Sequence, residues 1–188
     1  AGTEVKVGTY GFMIHEMNEM VAPHLGPSAT DPEPVHHVIY LYNYAGPPWK
    51  TQVRIRQVMS LLYQSTPDGL SGDEDTGQMS AWYVLSALGI YPVCPGTPDY
   101  LIGSPIFDKA TLHLQTGKNF TITTKNNGPQ EYYIDSATLN GHPFDKVYIR
   151  HDQILAGGNL TFQMASSPNY HWASAPEGRP PSALSQLR

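Results

Sequence analysis

The sequence has little cysteine and little charge, and both shortages restrict the classes of protein that it can belong to. Cys94 is the only cysteine among 188 residues, which excludes an internal disulfide and a cysteine-rich zinc site. Lysine and arginine number 11 against 16 aspartate and glutamate residues, giving a net charge of −5. Because no cluster of basic residues accompanies this balance, nucleic acid and anionic membrane are disfavoured as partners. No apolar run approaches the roughly 18 residues of a membrane-spanning helix.

Aromatic residues are abundant by comparison. They make up 11% of the chain, including twelve tyrosines, while charged residues make up only 14%. This composition predicts a folded core and not a disordered chain. The low charge and two Asn-x-Thr sequons, at 119–121 and 159–161, are compatible with export. The first residues, "AGTEVKVGTYG", carry no start methionine, so we expect a processed chain or a piece of a larger protein.

Up to about residue 95, apolar residues recur at helical spacing. Four helices are predicted, in "GFMIHEMNEMVAPHL", "PVHHVIYLYNYAG", "PPWKTQVRIRQVMSLLYQSTPDG" and "TGQMSAWYVLSALG". The third is expected to end at Pro67 and to place Val53, Val58, Leu61 and Leu62 on one face. The fourth is expected to stop at Gly89, a natural left-handed terminator.

Beyond residue 95 the apolar period falls to two, which predicts antiparallel strands with one solvent-exposed face. The strand segments are "ATLHLQ", "FTITTK", "EYYIDSATLNG", "KVYIRH" and "NLTFQMA", with turn signals at Asn140-Gly141 and Gly157-Gly158. Helices followed by strands indicate an α+β protein. The expected regions are helices in 1–95, an antiparallel β region in 96–175 and a loose tail in 176–188.

Three acids stand together in the loop "GLSGDEDTGQMSAW", namely Asp73, Glu74 and Asp75. An EF-hand starting at Asp73 is excluded because Gly77 and Val84 occupy its fifth and twelfth positions, although another kind of cation site stays open. Asp75 and Gln78 have the spacing of a capping box for the fourth helix. Ionised carboxylates at a helix N-terminus can also serve as a general base toward water. The residues alone leave these interpretations open.

The same loop, in "GLSGDEDTGQMSAWYVLSALGIYPVCPGTPDYLIGSP", together with "HHVIYLYNYAGPPWKTQ" and "GTYGFMIHEM", resembles the C-terminal part of glycoside hydrolase family 92. These enzymes are calcium-dependent, inverting exo-α-mannosidases, and the resemblance runs from about residue 7 to residue 170. It implies that the chain holds the last helices of an (α/α)6 barrel followed by a closing β region. An N-terminal β-sandwich and the remaining barrel helices would precede it.

The resemblance also implies roles for particular residues. Asp73 and Asp75 take the positions of the general base, and His15 and Glu16 match a pair that holds the leaving sugar in members cutting α-1,2 links. Calcium is the implied cofactor, and a mannose-containing glycan is the implied partner; the protein ligands of calcium are not assigned, Glu33 included. Since the family's general acid lies upstream, the isolated chain is expected to be inactive. The implied localisation is secreted or periplasmic, and the alternative is a non-catalytic carbohydrate-binding or interaction module.

Other candidate residues have simpler interpretations. Trp49 and Trp82 can act as sugar-stacking platforms or pack in the core. His36 and His37 are adjacent, so on a helix they would point about 100° apart and could not hold one ion together. Cys94 has no basic partner nearby in the sequence, which argues against a nucleophile.

Overall fold

A computed structural model of the chain describes residues 36–67, 69–70 and 74–182. The first predicted helix, in residues 11–25, lies outside the described residues. The helices that follow are a 3-10 turn at Val38–Tyr40, α1 at Leu41–Ala45, α2 at Pro48–Leu62, α3 at Gln78–Leu88 and α4 at His151–Leu155. A second 3-10 turn spans Pro176–Gly178. None of the helices in the described ranges is both long and apolar enough to cross a membrane.

The boundaries of α1 and α2 follow from proline and glycine. Gly46 ends α1 with a left-handed φ of 107°, and Pro48 occupies the first turn of α2, where the missing N–H costs nothing. The helix ends at Leu62, because Tyr63 adopts an extended conformation and bridges Leu70. The predicted end at Pro67 was therefore five residues too late.

The buried face of α2 differs from the predicted one. The prediction that Val53, Val58, Leu61 and Leu62 share one face was wrong. Val58 and Leu62 are buried, whereas Leu61 is 56% exposed and Val53 is half-buried on the side of Arg56 and Ser60. Two polar residues take part in the buried face instead, and each makes a hydrogen bond that compensates for its burial. The Thr51 hydroxyl donates to the Ile39 carbonyl over 3.2 Å, and the Gln52 side-chain oxygen accepts from the Ile134 N–H over 3.0 Å.

Eight strands follow in two sheets. They are β1 at Ile90–Tyr91, β2 at Asp99–Ile102, β3 at Lys109–His113, β4 at Asn119–Lys125, β5 at Tyr133–Leu139, β6 at His142–Pro143, β7 at Tyr148–Arg150 and β8 at Gly158–Ala165. The smaller sheet has the order β1-β2-β7 and the larger the order β3-β4-β8-β5-β6. The α+β class predicted from the sequence is confirmed. Pairing is antiparallel between all neighbouring strands described except β4 and β8, which are parallel.

The smaller sheet lies between two apolar cores. Leu101, Tyr91 and Tyr148 pack with the helices around Trp82, whereas Ile90, Ile102 and Ile149 pack with the inner face of the larger sheet. Successive residues of a strand point to opposite faces, so these strands contribute to both cores. Helices α1–α3 therefore form a layer on one side of the smaller sheet, and the larger sheet and α4 lie on its other side, with α2 also reaching β5 through Gln52 and Ile134. The acidic loop lies at the start of α3 in this helical layer.

Candidate active site

The acidic loop joins α2 to α3 by a run of left-handed residues. Glu74 and Asp75 are described, and Asp73 lies outside the described residues. Asp75, Thr76 and Gly77 have φ values of 50°, 57° and 97°. A left-handed conformation is unfavourable for residues with a side chain, and such strain persists only where surrounding contacts hold it.

Glu74 provides those contacts. Its carboxylate accepts hydrogen bonds from the Ser80 backbone N–H at 3.1 Å and from the Ser80 hydroxyl at 3.0 Å, while its backbone carbonyl accepts from the Met79 N–H. Although Glu74 precedes α3 in the sequence, its carboxylate lies at the start of the helix, where it satisfies a free N–H group and meets the positive end of the helix dipole. Glu74 therefore secures the start of α3, a role that the sequence did not indicate.

Asp75 does not cap the helix with its side chain. Only its backbone carbonyl is used, accepting from the Gln78 N–H at 3.3 Å, and the N-cap position belongs to Gly77, which makes no side-chain cap. The predicted capping box of Asp75 and Gln78 was wrong, because the left-handed turn shifts the helix start by two residues. The Asp75 side chain is exposed and makes no hydrogen bond or ion pair to any residue that the structure describes. Its carboxylate is thus accessible to water.

Behind the loop, the first turn of α3 is held by polar contacts to neighbouring elements. The Gln78 side-chain amide donates to the Tyr91 hydroxyl and to the His36 Nδ1, each over 3.3 Å. The other ring nitrogen of His36 lies 3.1 Å from the Met79 sulfur. Burial raises the pKa of Tyr91, and its hydrogen bond with Gln78 partly opposes that rise. The loop therefore leads into a helix end that His36 and Tyr91 hold in place, and these residues with Gln78 and Met79 form the support of the loop.

Trp82 belongs to this support. It is fully buried, stacks between His36 and Tyr63, and donates its indole N–H to the His36 carbonyl over 3.2 Å. Core packing, and not sugar stacking, is its role. Nearby, burial raises the pKa of Tyr40, opposed in part by the hydrogen bond with Ser86.

The remaining candidates are not brought to the loop. His15, Glu16 and Glu33 lie outside the described residues. Trp49 is half-buried and meets Tyr170 edge-on, with ring centroids 5.5 Å apart. It lies in the first turn of α2, and the length of this helix places Trp49 about 20 Å from the end of α2 that leads into the acidic loop. Cys94 is exposed, as is His37, whereas His36 is buried.

The described residues contain no cluster of acidic, histidine or cysteine side chains that could bind calcium. No three of their His, Cys, Asp and Glu side chains come together in a way that could hold a metal ion. Glu74, the one other carboxylate described in the loop, is already engaged by Ser80. Among the described residues, carboxylates therefore do not gather into the kind of cluster that commonly binds calcium.

Comparison with known proteins identifies the family. Residues 10–166 match the model of the glycosyl hydrolase family 92 catalytic domain. A family 92 inverting mannosidase from Bacteroides thetaiotaomicron is 51% identical, with a TM-score of 0.80 over 96% of this chain and 24% of that one. A second family 92 α-mannosidase from the same organism is 45% identical, with a TM-score of 0.78 over 81% of this chain and 20% of that one; it has also been solved in complex with mannoimidazole.

A curated relative comes from a fungus. An uncharacterized secreted glycosidase of Arthroderma benhamiae is 31% identical over 153 residues, which cover 80% of this chain and 20% of that protein. The fold and the matching regions are those of a glycoside hydrolase. The chain belongs to glycosyl hydrolase family 92. It spans about a fifth to a quarter of the length of these relatives.

Proposed function

We propose that this chain is the C-terminal section of an exo-acting α-mannosidase that hydrolyses mannosides, with α-1,2 links preferred, by inversion of configuration. The observation that carries the proposal is the state of Asp75, an exposed carboxylate in a left-handed turn. Its neighbour Glu74 meets the structural need for a carboxylate at the helix start. The Asp75 carboxylate is therefore available to act as a base.

In this mechanism Asp75, with Asp73, acts as the general base. Inverting glycosidases use one carboxyl group as an acid that protonates the leaving oxygen and a second as a base that activates a water at the opposite face of the sugar. The two carboxyl groups stand roughly 6.5–9.5 Å apart, which leaves room for that water. Residues two apart in a turn can converge on one water, so that one removes the proton while the other orients the water. His15 and Glu16 would bind the leaving sugar.

The general acid is proposed to come from outside this chain. The length of the relatives leaves ample sequence for it. Negligible turnover is therefore expected of the isolated chain, and hydrolysis of a mannobiose by that purified chain would contradict this part of the proposal.

Calcium and export are proposed from the family and its members. Calcium is the cofactor that the family resemblance implies, but the described residues do not form its site, so no step of this mechanism is assigned to it. Secretion or periplasmic localisation is supported by the fungal relative, which is described as a secreted glycosidase. A mannose-containing glycan is the proposed substrate, in keeping with the names of the two bacterial relatives.

The product configuration tests the proposed reaction. The enzyme that carries this chain would be given α-1,2-mannobiose, and the released sugar would be followed by proton NMR before mutarotation. We expect β-mannose to appear first, because water attacks from the face opposite the departing sugar. An α-1,6-linked mannobiose serves as the control for linkage. First appearance of α-mannose would contradict inversion, and absence of any released mannose would contradict the assignment as a mannosidase.

A further inference from the structure

A cleft of about 470 Å³ lies on the side of α2. Val53, Arg56, Gln57 and Ser60 line it from the helix at positions three and four apart, which form a single stripe. Segments around Ile106 and Asp108 and around Asn127 and Tyr132 form the opposite wall. Its volume falls within the range of small-molecule sites.

Arg56 is the fixed centre of this cleft. Its Nε donates to the Ser104 hydroxyl over 3.0 Å, and its Nη2 donates to the Pro105 carbonyl and to the Asn127 side-chain oxygen. Ser104 in turn donates to the Tyr132 carbonyl over 2.7 Å. The guanidinium is therefore held in one orientation before any ligand arrives.

The charge of Arg56 is not neutralised by these contacts. Its three acceptors are neutral, and it makes no ion pair with a carboxylate in the part of the chain that the structure describes. Burial lowers the pKa of Arg56, which reflects the cost of holding the charge there. Of the five N–H donors of an arginine, the two on Nη1 make no hydrogen bond to the described residues.

Asp108 gives the cleft a second, opposite charge. Its side chain is exposed and has no hydrogen bond or ion pair to any described residue. An anion on Arg56 would be repelled by Asp108, and a cation on Asp108 would be repelled by Arg56. A neutral polyhydroxy ligand suits both, because each hydroxyl can accept from the guanidinium and donate to the carboxylate. The half-buried ring of Tyr132 offers an apolar wall for a pyranose.

The cleft is separate from the acidic loop. Arg56, Gln57 and Ser60 lie on the side of α2 turned away from Ile55, Val58 and Leu62, which pack into the core with Trp82 of α3. The body of α2 therefore stands between the cleft and the helix that carries the loop at its start.

We propose that this cleft is a second sugar-binding site, in which Arg56 and Asp108 bind adjacent hydroxyls of a neutral hexose. It would retain a glycan on the enzyme while another part of that glycan is cut. The choice of mannose as ligand rests on the proposed function, whereas the binding of a neutral sugar does not.

The test is an NMR titration of the full 188-residue chain labelled with nitrogen-15. With methyl α-mannopyranoside we expect saturable shifts of the Ser60, Asn127 and Gly128 amides, at millimolar affinity, as suits a site with few contacts. Asp108→Asn should weaken this binding about tenfold. It should not affect folding, since no described residue bonds to that side chain.

Matched variants separate recognition from structure. Arg56→Lys keeps the charge but removes the fork geometry and is expected to abolish the shifts. Arg150→Lys, a like change at an exposed arginine, should leave them intact. Acetate shifting the same amides more strongly than the sugar would overturn the proposal in favour of an anion site, and absence of saturable shifts with any hexose would overturn it altogether. Neither result depends on turnover, so failure here is distinguishable from failure of the proposed mannosidase reaction.

Discussion

Two neighbouring carboxylates in the acidic loop have different surroundings, and the difference indicates their roles. Glu74 is bound twice by Ser80, while Asp75 is exposed in a left-handed conformation. Asp75 holds a left-handed conformation while its side chain makes no bond to the described residues, so the carboxylate has no evident structural role, and backbone strain of this kind motivates a functional hypothesis. This contrast is the basis on which Asp75 is proposed as a base and Glu74 is not.

Stability measurements should separate the two residues. Glu74→Ala is expected to lower the free energy of unfolding by about 1 kcal/mol, because it removes the bonds at the start of α3. Asp75→Gly is expected to raise it by up to about 1 kcal/mol, because glycine adopts the left-handed conformation without a steric penalty. Urea unfolding of the enzyme that carries this chain would measure both. A destabilised Asp75→Gly variant would show that Asp75 has a structural role after all.

The sequence signals at this loop explain what could and could not be predicted. Three adjacent acids before an apolar run indicated a helix start and a candidate base. The capping interpretation of Asp75, one of those left open, failed because the capping-box spacing assumes that the helix begins directly after the capping residue, whereas Thr76 and Gly77 intervene in left-handed conformations. The bond from Ser80 to Glu74 spans six residues and matches no common capping pattern.

At the scale of elements, glycine signals were reliable. Gly89 ends α3 as predicted, with a φ of 89°, and Asn140-Gly141, with φ values of 53° and 82°, forms the two-residue turn between β5 and β6. Both positions require a left-handed backbone, and the sequence marks that requirement directly.

Gly89 also allows close packing, which a paired substitution can demonstrate. A Cβ at Gly89 would come within 2.9 Å of the Pro105 ring, so Gly89→Ala carries both a backbone cost of about 1 kcal/mol and an overpacking cost of about 1–3 kcal/mol. Gly96 has a similar φ of 91° with nothing within 4 Å, so Gly96→Ala should show the backbone cost alone. Equal losses in the two variants, measured by thermal or urea unfolding, would contradict the packing argument.

Elements without a clear period were missed. β1 and β2 face apolar cores on both sides, so their apolar residues do not alternate with polar ones. α4 has five residues, too few to show a helical period. The parallel pairing of β4 and β8 depends on how distant segments return to the sheet, and no local pattern records that.

At the scale of the whole molecule, this chain is one section of what its relatives contain. It covers 24% of the more similar bacterial mannosidase and 20% of the fungal glycosidase. Leu61 and Val84, each 56% exposed, lie in the helical layer, which is the layer that the family resemblance assigns to a larger barrel. The division into 1–95, 96–175 and 176–188, the roles of Asp73, His15 and Glu16, and the calcium site stay predictions.

Replacement of Asp75 by asparagine in the enzyme that carries this chain tests the central claim most directly. If Asp75 is the base, kcat on α-1,2-mannobiose should fall by about 10²–10⁴-fold, while the unfolding midpoint and KM change little, because the amide keeps the size but cannot take a proton. Asp145→Asn, at another exposed aspartate, should leave kcat unchanged. An Asp75→Asn enzyme with undiminished kcat, altered only in stability or sugar affinity, would contradict the account and indicate that Asp75 has a structural or sugar-binding role and is not the base.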